Sequence, residues 1–240
     1  MFIVYLIVFG GFACLFPLGF YCLVLASWNK RRRPLLLGGP ADFAGSLLAT
    51  SGFLIVGGPL ILWGLYDHSR RSAVYPSFTA AWEVLGTAWW PWLVAWAGYF
   101  LIVGGGSLWL LARRNITGVV YNICREDAVR LIPNALERLG LDYARRGSEF
   151  WIETPQPDGL RRAIVDVTVT PILRTLTFRW LAAPGKIRDE IESVVRAELA
   201  DIVSPPNPLA GWFLTCGSAL FSLMILLLGW FIALVYRLRG

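Results

Sequence analysis

The sequence predicts an α-helical membrane protein with about four transmembrane helices and a small soluble α+β domain inserted between the third helix and the fourth. Two observations lead to this fold class. First, 56% of the 240 residues are hydrophobic and only 16% are charged, whereas soluble domains carry about 25% charged residues. Second, the apolar residues are concentrated in long runs, and the stretch before the last run has mixed polarity. A large part of the chain must therefore avoid water.

Four apolar runs are long enough to cross a hydrocarbon core of about 30 Å, and they cover residues 2–28, 43–66, 91–112 and 211–236. In lipid each run must be a helix, because every backbone N–H and C=O has to be paired within the segment. We therefore expect three regions. Residues 1–113 form a three-helix transmembrane region with an external amphipathic segment at 77–90, residues 114–205 form the soluble domain, and residues 206–240 form the fourth helix and a short tail.

The segment 114–205 shows the alternating patterns of a folded domain. A strand at 117–124 precedes an amphipathic helix at 126–139, which Gly140 should end and Pro133 should kink or split. Four further strands follow, at 141–144, 149–153, 161–170 and 174–181, and a second amphipathic helix covers 186–203. The order β-α-β-β-β-β-α indicates an antiparallel sheet with two helices on one face, loosely ferredoxin-like.

The net charge of +6 lies outside this domain. Between Arg114 and Pro205 there are thirteen basic and thirteen acidic residues, so we expect no nucleic-acid binding, which requires excess basic charge. The excess flanks the predicted spans, and its strongest cluster follows the first of them: Lys30, Arg31, Arg32 and Arg33. These four residues are the expected lipid head-group and orientation signal, which places the first loop and the soluble domain in the cytoplasm.

No residue pattern indicates catalysis, a cofactor or a metal site. His68 is the only histidine, and no cluster with metal-ligand spacing accompanies it. The four runs contain no Asp, Glu, Lys, Arg or His, and Asp42 lies just outside the second run, which argues against an ion or proton pathway through one copy of the chain. Arginine pairs at 145–146 and 161–162 offer a surface for a phosphate or an acidic partner. We favour the alternative that they are solvated charges balanced by the nearby acidic residues Glu149, Glu153 and Asp158.

Small residues form two stripes that let helices approach closely in lipid. One stripe lies on the second run and the other on the third: Ala41, Gly45, Ala49 and Gly52, then Ala95, Gly98 and Gly105. We interpret both stripes as helix-contact surfaces, used within the chain or against a neighbouring subunit.

These observations favour a non-enzymatic accessory or scaffold subunit of a membrane protein complex in a bacterial-type inner membrane. Its expected partners are membrane lipids and other membrane subunits or further copies of itself. The alternative is a carrier or channel for an apolar or lipid-like solute, formed by an oligomer of this chain. A membrane-bound enzyme that uses the arginine-rich surface ranks third.

Overall fold

A computed structural model describes residues 2–58, 90–156 and 159–239. His68, the end of the second apolar run and all but the last residue of the predicted amphipathic segment at 77–90 lie outside these ranges. In chain order the elements are α1 (Phe2–Lys30), β1 (Leu35–Gly38), α2 (Gly39–Gly52), α3 (Trp90–Arg113), β2 (Thr117–Tyr121), α4 (Arg125–Arg138), β3 (Asp142–Arg146), β4 (Glu149–Gln156), β5 (Gly159–Thr170), β6 (Thr175–Ala182), α5 (Gly185–Asp201) and α6 (Leu209–Arg239). A π-helical turn at Phe53–Gly57 extends α2.

Within the described ranges, four helices are long and apolar enough to cross a membrane, and they are α1, α2 with its π-helical turn, α3 and α6. α1, α3 and α6 coincide with predicted apolar runs to within three residues, and the second helix covers the described part of the run at 43–66. The chain is therefore an integral membrane protein by the length and composition of its helices. Its residues fall into two compact units. The first comprises Met1–Tyr21, Ser46–Leu110 and Ser218–Gly240, and the second comprises Cys22–Gly45 and Leu111–Gly217.

The first unit contains most of the length of the four long helices. A Cβ atom placed on Gly52 would collide with the backbone of Ala13, so α2 approaches α1 as closely as a glycine permits. Phe16 of α1 meets Phe221 of α6 edge to face, with ring centroids 5.8 Å apart. Helix packing in this unit therefore combines a close backbone approach with aromatic contacts.

The second unit contains a six-stranded antiparallel sheet in the order β1-β2-β6-β5-β4-β3. Strands β3 to β6 form a meander, and β2 pairs with β6. Side chains from α4 and α5 share one hydrophobic core with one face of the sheet. The elements between α3 and α6 follow the predicted order β-α-β-β-β-β-α. The ferredoxin-like comparison does not extend to the connectivity, because that fold has a helix between its last two strands, whereas a turn joins β5 to β6 here.

Strand β1 comes from outside the segment that the sequence assigns to the domain. Leu35 pairs with Tyr121 and Gly38 with Gly118 in an antiparallel ladder. Leu36 packs against the core of the domain. The loop between the first two spans therefore supplies one of the two edge strands of the sheet.

The helix α4 is continuous through Pro133, so the predicted splitting of this helix is wrong. A proline inside a helix costs about 3 kcal/mol, but burial of an aliphatic side chain stabilises by about 1.5–3 kcal/mol. The buried side chains of α4 offset the cost, and they are Ala128, Leu131, Ile132, Ala135 and Leu136. Gly140 follows the helix with a φ of +62°, the left-handed conformation typical of a helix end, as the sequence predicts.

Candidate functional site

Two buried asparagines join the end of α1 to the start of α6. The Asn207 backbone N–H donates to the Asn29 carbonyl at 2.9 Å, and Asn207 Nδ2 donates to Asn29 Oδ1 at 3.0 Å. Each residue is only 2% exposed. Asn207 Oδ1 also accepts from the Leu209 N–H at 3.0 Å, which caps the first turn of α6. The ends of the first and last spans are therefore fixed to each other in the second unit.

The turn between β5 and β6 is attached at the same point. Asn207 Nδ2 donates to the Leu173 carbonyl at 2.8 Å. Arg174 Nη1 donates to the Pro205 carbonyl at 3.0 Å. Arg174 has a φ of +49°, a strained conformation for a residue with a side chain. These bonds tie the turn to the segment that leads into α6. We call residues 29–33, 171–174 and 203–207 together the junction.

The basic cluster at residues 30–33 is part of the junction. Its backbone is held by the α+β domain, because the Arg31 carbonyl accepts from Asn122 Nδ2 at 2.6 Å and the Arg32 carbonyl accepts from the Ser204 N–H at 2.8 Å. The side chains of the cluster are exposed. The structure thus holds the predicted head-group residues at the end of α1 with their charges directed to the surface.

The small-residue stripe on α2 is used inside the chain. Ala49 is 3% exposed, and Gly52 is buried against Ala13 of α1. Gly45 is half-buried and Ala41 is exposed. The end of this stripe therefore packs the chain against itself.

The stripe on α3 has no such contact in the part of the chain that the structure describes. A Cβ atom at Gly98 or Gly105 would meet no atom within 4 Å, and Ala95 is exposed. The neighbouring Tyr99 lies on another side of the helix, where its hydroxyl donates to the Leu54 carbonyl of the π-helical turn at 2.7 Å. α3 therefore contacts α2 through the side that carries Tyr99.

The arginine pairs lie on β3 and β5. The Arg146 guanidinium stacks over the Trp151 ring at 4.9 Å, and Arg162 lies 3.9 Å from Glu153. These four residues line one open cavity of about 270 Å³ on the sheet. Both members of the Arg162–Glu153 pair are exposed, so water screens their attraction. Arg162 therefore has the carboxylate neighbour that the sequence predicts, whereas Asp158 lies outside the described residues.

The described residues contain no group of three or more potential metal ligands. All four cysteines are free. Asp42 lies in the first turn of α2, inside the second candidate span and not just outside it as the apolar run predicts, and it accepts a hydrogen bond from the Tyr121 hydroxyl. The asparagines of the junction are the polar residues that our sequence reasoning missed. The capping role of Asn207 could have been predicted, because an asparagine just before an apolar run is typical of a helix N-cap.

Comparison with models of known protein families and with curated protein sequences gives no match to this chain. The fold itself defines a class of protein. It is a polytopic membrane protein with an α+β domain whose sheet includes the loop between the first two spans.

Proposed function

We propose that this chain is a non-enzymatic accessory or scaffold subunit of a membrane protein complex, and that α3 is the helix that meets the neighbouring subunit. The observation that supports this function is the glycine face of α3, where a Cβ atom at Gly98 or Gly105 would meet no described atom within 4 Å. The proposed membrane is a bacterial-type inner membrane, with the α+β domain in the cytoplasm.

The two sides of α3 differ in what they contact. Val103 and Ser107 follow Tyr99 at helical spacing, and all three are half-buried. The side that carries Gly105 is exposed, and its large aliphatic neighbours are Leu101, Ile102 and Leu108. Only the side that carries Tyr99 packs against described residues of the same chain.

Glycines on an exposed helix face have a cost. A glycine inside a helix destabilises it by roughly 0.5–1 kcal/mol relative to alanine. Gly104, Gly105 and Gly106 meet no atom within 4 Å of a Cβ position among the described residues, so no packing within that part of the chain offsets the cost. Contact with the backbone of another transmembrane helix would offset it. Because the described residues do not offset the cost of these glycines, we infer that this face of α3 contacts a helix of another chain.

A glycine-to-isoleucine exchange on this face tests the proposal. Gly105→Ile keeps the span apolar and holds a neighbouring helix away. Overpacking at a close contact costs about 1–3 kcal/mol, which weakens association roughly five- to a hundredfold. We expect the variant to reach the membrane at the normal level and to lose its co-purifying subunits in mild detergent.

Two further variants make the result specific. Ala233→Ile on α6 introduces the same side chain at an exposed position that has no glycine, and it should change neither the amount of protein in the membrane nor its association. Gly52→Ile should lower the amount of folded protein, because Gly52 packs against Ala13. If Gly105→Ile assembles as the unaltered chain does, the scaffold proposal is wrong. Loss of a homo-oligomer with bound lipid, rather than loss of other chains, would favour the carrier or channel.

A further inference from the structure

Three aliphatic side chains of the junction are exposed. Ile172 is 79% exposed, Leu173 is 43% exposed and Val203 is 71% exposed. Ile172 and Leu173 form the tip of the β5–β6 turn, and Val203 immediately precedes Ser204. Large aliphatic side chains gain free energy when they leave water, so the three residues form a surface that an apolar medium would cover. We call them the junction aliphatics.

We propose that the junction aliphatics and the adjacent basic side chains are an anchor that seats the α+β domain on an anionic lipid head-group layer. The aliphatic side chains enter the boundary between head groups and acyl chains, and the cations bind lipid phosphates. This adds a lipid-binding site to the domain, and it holds whether or not α3 meets another subunit.

Hydrogen bonds set the depth of the anchor. The Leu173 carbonyl lies 2.8 Å from Asn207 Nδ2, and Asn207 caps α6, whose apolar run begins at Leu209. The residue after Val203, Ser204, donates from its N–H to the Arg32 carbonyl, two residues beyond the end of α1. The junction aliphatics are therefore held where the first span ends and the last span begins. Trp28 and Trp212 lie near the same two span ends, as interfacial tryptophans do.

The charge of the junction matches an anionic surface. The segments 28–34, 171–175 and 202–209 carry five basic residues and no acidic residue. Four of the five are the exposed cluster at 30–33, and the fifth, Arg174, follows the junction aliphatics in the turn. Aliphatic side chains beside cations are the combination that binds the interface of anionic bilayers. A free phosphate would use the cations but leave Ile172 in water, which is why we assign the bilayer.

Site-specific labelling of the full-length chain in lipid nanodiscs tests the apolar part of the proposal. With the four native cysteines replaced by alanine, Ile172→Cys carries a fluorophore, and the lipid carries a nitroxide at the top of its acyl chain. Val129→Cys is the matched control, because Val129 is also an exposed aliphatic side chain, 42% accessible, and it lies beside Ser148 in the turn between β3 and β4. We expect quenching at residue 172 to exceed that at residue 129 by roughly twofold or more, since an interfacial residue lies within the labelled layer. Equal quenching at the two positions overturns the proposal.

Lipid composition tests the electrostatic part. We expect the purified protein in mixed phosphatidylglycerol and phosphatidylcholine to retain the anionic lipid preferentially. The double variant Arg31→Gln, Arg33→Gln should reduce that preference by about fivefold for each charge removed. Its transmembrane helices should insert as those of the unaltered chain do. No preference for the anionic lipid in the unaltered chain overturns the anchor as proposed. Displacement of the residue 172 label from lipid by inorganic phosphate would also contradict it, because a free anion would then be the occupant.

Discussion

At the scale of single residues, Asn207 connects three segments that are distant in the sequence. Its side chain bonds Asn29, the Leu173 carbonyl and the N–H of Leu209. A buried amide is tolerated only when its donors and acceptors are paired, and here the pairing joins two spans to a turn of the sheet. The capping role follows from the position of Asn207 before an apolar run. Its bond to Asn29 spans 178 residues, and no local pattern identifies which distant polar groups meet.

Glu198 is a second buried polar residue, and its environment gives a testable pH dependence. Burial raises the pKa of the Glu198 carboxyl, and the nearby Arg138 opposes this with the smaller effect. Arg138 Nε lies 3.0 Å from Glu198 Oε1, but the oxygen has no hydrogen-bond partner. A carboxyl with a raised pKa in the folded state binds its proton more tightly there than in the unfolded chain. Its contribution is therefore most favourable below the unfolded pKa, and it is lost as pH rises through the folded pKa.

We expect Glu198→Gln to raise the midpoint of thermal unfolding at neutral pH and to flatten its decline as pH increases from mildly acidic values. The reason is that the amide remains neutral where the native carboxyl must ionise inside the domain. The measurement is thermal unfolding of the full-length protein in detergent across that pH range. Glu190→Gln on the same helix, at an exposed position, controls for the loss of one negative charge. A lower midpoint for Glu198→Gln at neutral pH would mean that the ion pair with Arg138 outweighs the cost of burial.

At the scale of elements, patterns that repeat over many residues were predictable. The alternation over 161–170 identified β5, and the apolar stripes identified α4 and α5, because one face of each of these elements is buried. Strand β1 was not predictable, since four residues, three of them leucine, carry no periodicity. The helix-contact stripes show the same limit. Their spacing indicated a packing surface, but only the structure distinguishes Gly52, which touches α1, from Gly105, which meets no described atom.

The contribution of β1 can be measured on fragments of the domain. In the native pairing Gly38 lies opposite Gly118, so residues 34–38 can be joined to Gly118 through a two-residue Asn-Gly turn, which suits such a hairpin. We expect this fragment, ending at Ser204, to exceed the fragment 115–204 in free energy of unfolding by about 1–3 kcal/mol, since it buries Leu36 and pairs the edge of β2. Denaturant unfolding of both fragments gives the difference.

The matched control for this comparison is Leu36→Ser within the fused fragment, which keeps the added strand and removes its core side chain. Most of the gain should then disappear. If the two original fragments are equally stable, β1 is an accessory strand, and the segment 115–204 is autonomous as its neutral charge and amphipathic helices suggest.

At the scale of the whole molecule, composition predicted the four spans because exclusion from water is a property of long segments and does not depend on which residues touch. The direction of the spans is a separate question, which the sequence addresses through the basic residues that flank them. The cluster at 30–33 with Arg113 and Arg114 places the domain in the cytoplasm, whereas Arg237 and Arg239 would then lie outside. The sheet adds a constraint. Because β1 and β2 are hydrogen-bonded neighbours, the loop after α1 and the domain after α3 must occupy the same side of the membrane.

This constraint leads to a test of orientation with single cysteines in a chain whose native cysteines are replaced by alanine. Gly38→Cys lies at the end of β1, in the loop between the first two spans, and Ser148→Cys lies in the turn between β3 and β4. Both positions are exposed, and neither belongs to the basic cluster. We expect a membrane-impermeant thiol reagent to label neither position in intact cells and both after permeabilisation, because basic residues near span ends favour the cytoplasm. A tag after residue 240 should be accessible from outside, since α6 crosses once after the domain. Labelling of both cysteines in intact cells would reverse the orientation and leave the fold unchanged, whereas labelling of only one would contradict the shared sheet.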